Sequence, residues 1–170
     1  FVTGYDTIEK RLTRARQSFR DNNVQFELPP AAELENRLDN VLLAIYLLFN
    51  EGYNSTQHED LIRKDLMHEA MQLCELICRS RAVDHCKAHA LMALICFTAS
   101  RNEARQDAAG NILLLKEQDR KRWNKALIEK GIFHLEASSE AEQVNKYQLE
   151  AGIAYEHARA ASYASTNWRN

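Results

Sequence analysis

The sequence predicts an all-α protein, and two observations support that prediction. Glycine and proline, which interrupt helices, number only five and two among the 170 residues. Ala, Leu, Glu, Lys and Arg, which favour helices, are abundant, and apolar residues recur every three or four positions. The length suits one domain, or one domain and a piece of another. A net charge of -2 does not mark the whole chain as nucleic-acid-binding, so such a function would depend on local charge.

The first predicted helix, residues 7–20, is amphipathic and basic. Asp6 or Thr7 can cap its start, and five Lys or Arg residues surround a single acid, Glu9. Its apolar stripe consists of Ile8, Leu12, Ala15 and Phe19. A helix that enters the major groove of DNA needs an apolar back, donors for base edges and cations for phosphates, and this helix has all three. On composition alone, however, a basic amphipathic helix is more often a solvated surface helix.

The stretch DNNVQFELPP, residues 21–30, is the clearest boundary in the chain. Pro29 and Pro30 cannot continue a helix, and the residue before each proline is pushed towards an extended conformation. We therefore predict three parts: residues 1–22 with the basic helix, a linker at 23–30, and a helical domain at 31–170 that is truncated at its end.

The helical domain is predicted to contain five helices, at about residues 31–49, 58–79, 84–100, 117–137 and 140–161. The second half of the first should be buried on most sides, with Gly52 as a left-handed C-cap. The run ALMALICFTA, residues 90–99, marks the third as a central helix. Ser139 and Glu142 have capping-box spacing for the last.

The last helix mixes small residues with tyrosines on one face: Val144, Tyr147, Ala151, Ala154, Tyr155 and Ala158. Such stripes suit stacked helical hairpins, because small residues let helix axes approach closely. We predict a right-handed, tetratricopeptide-like bundle of helical hairpins, although no clear repeat of about 34 residues is present. A groove lined by Tyr147 and Tyr155 would suit a peptide, so a freestanding protein-binding scaffold is an alternative function.

Residues 99–123, ASRNEARQDAAGNILLLKEQDRKRW, form the one long interruption between predicted helices. A turn at 107–111 and the apolar run at 112–115 predict a hairpin-like excursion or an extended segment laid on the helices. Trp123 and the apolar run are expected to seal the junction between the two halves. The polar residues of this stretch either lock the junction by hydrogen bonds or face a partner. They are Arg101, Arg105, Asp107, Gln118, Asp119 and Arg120.

The four cysteines, Cys74, Cys78, Cys86 and Cys96, all lie in apolar helical stretches. With no signal peptide in view, they are expected to be buried, reduced thiols of a cytoplasmic protein. Two pairs spaced i, i+4, Cys74 with Cys78 and His85 with His89, could converge on zinc. Structural zinc pairs usually have two intervening residues, and cysteine on an apolar face behaves as a small hydrophobe. We therefore predict no metal site and no cofactor.

Motifs of enzymes and membrane proteins are absent from the sequence. It contains no phosphate-binding glycine loop, no Gly-x-Ser-x-Gly elbow and no His-Glu-x-x-His. No apolar run reaches the roughly 18 residues of a membrane span. The expectation is a protein that is not an enzyme and does not contact a membrane.

Two stretches together resemble a known family. TIEKRLTRAR, residues 7–16, is similar to the recognition helix of region 4 in bacterial sigma factors, where a Thr-hydrophobic-x-x-Arg-Leu-x-Arg-Ala pattern recurs. The remainder, from LPPAAELENRLDNVLLAIYLLFNEGY to YQLEAGIAYEHARA, resembles the tetratricopeptide-like C-terminal extension of a group of extracytoplasmic-function sigma factors. Its most specific parts are the segments Phe-Asn-Glu-Gly-Tyr and Glu-Gln-Asp-Arg-x-x-Trp.

The resemblance implies promoter recognition and transcription initiation with core RNA polymerase, and a helical domain that regulates the factor or binds a regulatory protein or ligand. By match to the recognition-helix motif, Thr7, Lys10, Arg11 and Arg14 would lie near the −35 promoter element. Residues 4–6 depart from the common small-residue turn, which leaves base preference open. Region 2 and the first part of region 4 are missing, so this chain is expected to be a fragment that does not initiate transcription.

Overall fold

The computed structural model describes residues 4–25, 27, 29–55, 62–141 and 143–168. It divides into two compact units, Phe1–Pro30 and Ala31–Asn170. The first unit contains helix α1 (Tyr5–Asp21), and the described part of the second contains α2 (Ala31–Tyr53), α3 (Lys64–Cys78), α4 (His85–Ala99), α5 (Lys125–Ser138) and α6 (Lys146–Arg159). Every element is helical, so the all-α prediction is confirmed.

Helix α1 carries its apolar stripe on the surface of its own unit. Leu12 and Phe19 are about half exposed. The helix ends where Asn23 adopts a left-handed backbone, with φ of 47°. The Asn22 side chain donates to the Ser18 carbonyl at 2.7 Å, which satisfies one of the last carbonyls of the helix.

Helix α4 forms the centre of the second unit and contacts α2, α3, α5 and α6. All side chains from residue 90 to residue 97 are buried. The Asp84 carboxylate caps the helix by accepting from the Cys86 amide at 2.9 Å. The prediction of a central helix is confirmed.

Helix α2 buries one face rather than most of its surface. The buried residues are Leu38, Leu42, Ile45 and Phe49, spaced as a single helical stripe. Val41, Leu43 and Leu47 are 40–48% exposed, so the prediction that the second half is buried on most sides was wrong. The physical reason is position: α2 packs on α3 and touches α4 at one edge of the unit.

Gly52 lies inside α2, which continues to Tyr53. Among the described glycines only Gly110 has positive φ, so the prediction of a left-handed C-cap at Gly52 was wrong. A Cβ atom at Gly52 would lie 2.8 Å from the backbone nitrogen of Met67. The missing side chain lets the start of α3 pack directly against the end of α2.

The later helices begin at different residues from those predicted. Helix α5 starts at Lys125, because residues 115–117 and 120–122 form 3₁₀ turns instead of its first turns. Helix α6 starts at Lys146, where Asn145 and Gln148 cap each other's backbone amides at 3.1 and 2.8 Å. The capping box predicted at Ser139 and Glu142 is therefore replaced by a later one, and Glu142 itself lies outside the described residues. Residues 58–61 of the predicted 58–79 helix also lie outside them.

Candidate functional site: a basic helix face and a polar junction

The basic face of α1 consists of Thr7, Lys10, Arg11 and Arg14, which share one side of the helix at about 100° per residue. All four side chains are exposed. Within the part of the chain that the structure describes, none of them forms a side-chain hydrogen bond or an ion pair. Arg16 and Arg20 lie on the opposite side of the same helix. The basic face can therefore meet an anionic surface without first breaking internal contacts.

The polar junction lies in the other unit, and its first two arginines both bind Tyr53 at the end of α2. Arg101 donates to the Tyr53 hydroxyl at 2.9 Å. Arg105 is 6% exposed and donates to the Tyr53 carbonyl, with its Cζ atom 3.6 Å from the ring centroid. Burial lowers the pKa of Arg105, an effect that Tyr53 partly offsets. These two contacts tie the interruption to α2, some fifty residues earlier in the chain.

Asp107 organises a small hairpin. Its carboxylate accepts from the amides of Ala109 and Asn111 at 2.9 Å and from the Asn111 side chain at 3.0 Å. These hydrogen bonds lower the pKa of Asp107. An antiparallel bridge pairs Gln106 with Ile112 across the turn, and Gly110 has φ of 85°. The predicted hairpin-like excursion is confirmed.

Gln118 and Asp119 act locally. Gln118 is buried and donates to the Leu113 carbonyl at 3.1 Å, which closes the end of the hairpin. Asp119 is exposed and caps the following 3₁₀ turn by accepting from the Lys121 amide at 2.9 Å. Trp123 is 4% exposed, as predicted for a residue that seals the junction. The apolar run seals it only in part, since Ile112 and Leu114 are more than 48% exposed.

Arg120 joins the junction to the end of α6. It donates to the His157 carbonyl, to the Ala160 carbonyl at 3.1 Å and to the Thr166 hydroxyl at 3.2 Å. Its Cζ atom lies 4.8 Å from the Trp123 ring centroid. Burial lowers the pKa of Arg120, with a smaller effect from Arg101. The structure thus brings Arg101 and Arg120 together around Trp123, a grouping that the sequence spacing does not reveal.

A groove of about 670 Å³ opens beside this junction. Its rim is mainly cationic, with Lys116, Arg120, Lys121, Lys125 and Arg159 against Asp119 and Glu129. Trp123 and Tyr163 supply flat apolar walls. Such a lining suits an acidic or aromatic segment of a partner.

The cysteine and histidine pairs do not meet as the zinc alternative required. Cys74 donates to the Ala88 carbonyl at 3.4 Å, and the exposed His85 stacks edge-on against His89. Cys78 and His89 do come together, and the third member of their group is His134 of α5. Sequence reasoning missed His134 because it lies 45 residues from His89 and no local motif marks it.

The fold and these sites define an all-helical protein with a separate basic helix and no described helix long and apolar enough to cross a bilayer. Residues 37–139 match the family of unknown function DUF6596, and the chain belongs to that family. It is 33% identical over 168 residues to "Uncharacterized protein R00370" of Rhizobium meliloti (strain 1021). That match covers 99% of the chain but spans only 40% of the relative's length. No solved structure matches the chain.

Proposed function

We propose that the chain is the C-terminal part of a bacterial extracytoplasmic-function sigma factor, a cytoplasmic protein that directs core RNA polymerase to promoters. The observation that supports the proposal best is the basic face of α1, which is exposed and separate from the apolar stripe of that helix. In this proposal Thr7, Lys10, Arg11 and Arg14 contact DNA. Residues 31–170 form a helical domain that regulates the factor or binds a partner.

The electrostatics of α1 suit a recognition helix. Lys10, Arg11 and Arg14 place three cations on the same side as Thr7, whose hydroxyl can reach a base edge or a phosphate. Residues 7–16 also carry the sigma-like motif, so charge and sequence pattern agree on the same face. The cations that position a protein on DNA release condensed counterions, which makes the affinity depend on salt.

The helical domain suits a regulatory role because its helices are joined by partly buried hydrogen bonds and it carries an open cationic groove. Arg105 and Arg120 tie the interruption to α2 and to the end of α6, so the cationic groove beside Trp123 has firm walls. A partner that presents acidic groups would find that groove preformed. This arrangement favours control by binding rather than by refolding.

The test uses the full-length protein with core RNA polymerase and promoter DNA. The variant Arg11→Ala with Arg14→Ala should weaken promoter binding and reduce the salt dependence of log K by about two counterions. The matched control, Arg16→Ala with Arg20→Ala, removes the same charge from the opposite side of α1 and should change binding less. Equal promoter affinity in the first variant and the unmodified protein at moderate salt would count against the proposal.

The alternative, a freestanding protein-binding scaffold, is favoured by a different observation. Tyr147 is 4% exposed and packs on Tyr46, so the predicted tyrosine groove does not exist as an open surface. An apolar groove of about 690 Å³ lies instead between α2 and α3, lined by Val41, Ala44, Leu48, Leu73, Leu76 and Ile77. A pull-down that recovers a peptide partner but never RNA polymerase, and that Leu76→Asp abolishes, would favour this function.

A further inference from the structure

Three chemically related side chains meet where α3, α4 and α5 come together. Cys78 ends α3, His89 lies in the second turn of α4, and His134 lies in α5. Their thiol and ring nitrogen atoms all lie within 4.8 Å of one another. His134 is 3% and Cys78 9% exposed, while His89 is half-buried. We refer to these three residues as the thiol–imidazole cluster.

The two histidines of the cluster approach each other through their Nδ1 atoms. The Nδ1 atoms of His89 and His134 are 2.8 Å apart, and the ring centroids are 4.9 Å apart. Two nitrogen ligands of a tetrahedral zinc ion lie about 3.3 Å apart, given Zn–N bonds of about 2.0–2.1 Å. A shift of about half an ångström would therefore bring both nitrogens to ligand positions, with the Cys78 sulfur on the third side.

The opposite nitrogen of His134 faces a carboxylate. Its Nε2 lies 3.9 Å from Oε2 of Glu75, one turn before Cys78 on α3. Glu75 is held in place by Lys130 at 2.9 Å and Arg79 at 3.1 Å. A carboxylate that accepts a hydrogen bond from the far nitrogen of a histidine keeps the proton there and leaves the near nitrogen free to bind a metal. Glu75 would form that bond after moving closer by about 1 Å, since N–H···O bonds are about 2.7–3.2 Å long. Metal-binding histidines usually have such a partner.

We propose that Cys78, His89 and His134 bind a zinc ion, with Glu75 as the carboxylate that orients His134. One thiolate and two imidazoles are a ligand set that suits zinc. Binding requires the Cys78 thiol to release its proton to solvent as the sulfur–metal bond forms. Three protein ligands leave a fourth position of the tetrahedron for water or an external ligand.

The fold itself holds the three ligands in register. A Cβ atom at Gly131 would lie 2.6 Å from Cε1 of Phe97, so this glycine lets α5 approach α4 closely. His134 follows Gly131 by one turn of α5, and the close approach brings its ring to His89. The inference concerns residues 75–134 alone and does not depend on the proposed sigma-factor function.

The experiment is a titration of the untagged, reduced chain with Co²⁺, followed by competition with Zn²⁺. We expect one Co²⁺ per chain, with the intense visible bands of a tetrahedral ion and a near-ultraviolet charge-transfer band from thiolate to cobalt. Cys78→Ser should remove the charge-transfer band, and His89→Gln should weaken binding by at least about 100-fold. Glu75→Gln, which keeps all three ligands, should weaken it by about 10–100-fold.

The matched controls are Cys86→Ser and His68→Gln, which remove a thiol and an imidazole outside the cluster and should leave binding unchanged. Circular dichroism checks that each variant is folded. The test uses His89→Gln rather than a substitution of the buried His134, because His89 is only half-buried and its replacement is less disruptive to folding. The proposal is overturned if Co²⁺ shows no thiolate band, or if Cys78→Ser and His89→Gln bind the metal as tightly as the unmodified chain. In that case the two rings form only a hydrogen bond.

Discussion

The guanidinium group of Arg105 lies over the Tyr53 ring, with its Cζ atom 3.6 Å from the ring centroid, and also donates to the carbonyl of the same residue. One buried side chain therefore holds both the ring and the backbone at the end of α2. The interruption between α4 and α5 is thereby fastened to a helix that precedes both. This relationship makes the polar junction part of the frame on which the helical domain depends.

Replacing Arg105 by Ala should lower the free energy of unfolding by about 2–3 kcal/mol, because a charge-assisted hydrogen bond and the stacking on Tyr53 are lost together. Arg105→Lys should recover part of this, since lysine keeps the charge but not the planar fork. Chemical denaturation followed by circular dichroism measures both. The exposed Arg122 provides the control: Arg122→Ala should change stability by less than about 0.5 kcal/mol. Equal effects of the two alanine variants would contradict the assignment.

Two Gly→Ala substitutions should have opposite effects on stability, because only one of the two glycines lies at the close contact of α4 and α5. A methyl group at Gly131 would meet the ring of the fully buried Phe97, so Gly131→Ala should destabilise the protein by about 1–3 kcal/mol. A methyl group at Gly152 of α6 meets nothing within 4 Å, so Gly152→Ala should stabilise by about 0.5–1 kcal/mol through helix propensity. Thermal unfolding distinguishes them. A stabilised Gly131→Ala variant would show that α5 can move away from α4 at little cost.

Arg120→Ala should free the segment that follows α6. The variant loses hydrogen bonds to the Ala160 carbonyl and the Thr166 hydroxyl, and the Trp123 ring loses the nearer of its two cations. We expect a loss of about 2–3 kcal/mol and faster amide exchange at residues 160–168 than in the unmodified chain. Hydrogen exchange read by mass spectrometry provides the measurement. Unchanged exchange in that segment would mean that Arg120 does not hold it.

His157 predicts a loss of stability in mild acid. Burial lowers its pKa from the ordinary value of 6.5, with further lowering by Arg120 and Arg101. As the pH falls below 6.5, the unfolded chain therefore takes up a proton that the folded chain resists, and the free energy of unfolding decreases until the folded pKa is passed. His157→Gln should make this decrease shallower, because the variant has no imidazole at this position to take up a proton. An equally steep decrease in the His157→Gln variant would contradict this assignment.

The sequence predicts the helical class and the central helix because apolar periodicity and capping are local properties. The extent of burial on α2 was mispredicted, since Val41, Leu43 and Leu47 are apolar but 40–48% exposed. The start of α6 was also missed, because Ser139 and Asn145 both have the chemistry of a cap and only the packed structure selects the second.

In the candidate sites, too, local patterns were predicted and contacts between distant residues were not. The spacing of Thr7, Lys10, Arg11 and Arg14 already places them on one face of a helix, and the structure finds that face exposed. The partners of Arg105, Arg120 and His89 are 52, 37 and 45 residues away, and no periodic signal links such distant positions. Their contacts depend on which helices pack together, and the local patterns of a single sequence do not reveal that.

The unbroken burial of residues 90–97 gives α4 an unusual profile of sequence tolerance. An ordinary surface helix accepts polar replacements at every third or fourth position, where a side chain turns to water. Helix α4 has no such positions in this stretch. A saturation mutagenesis scan should therefore find that every position from 90 to 97 rejects polar substitutions, without the periodicity of three or four residues. Ala90 and Ala93 should reject them as firmly as Leu91 and Ile95, because larger side chains there would push a neighbouring helix outward.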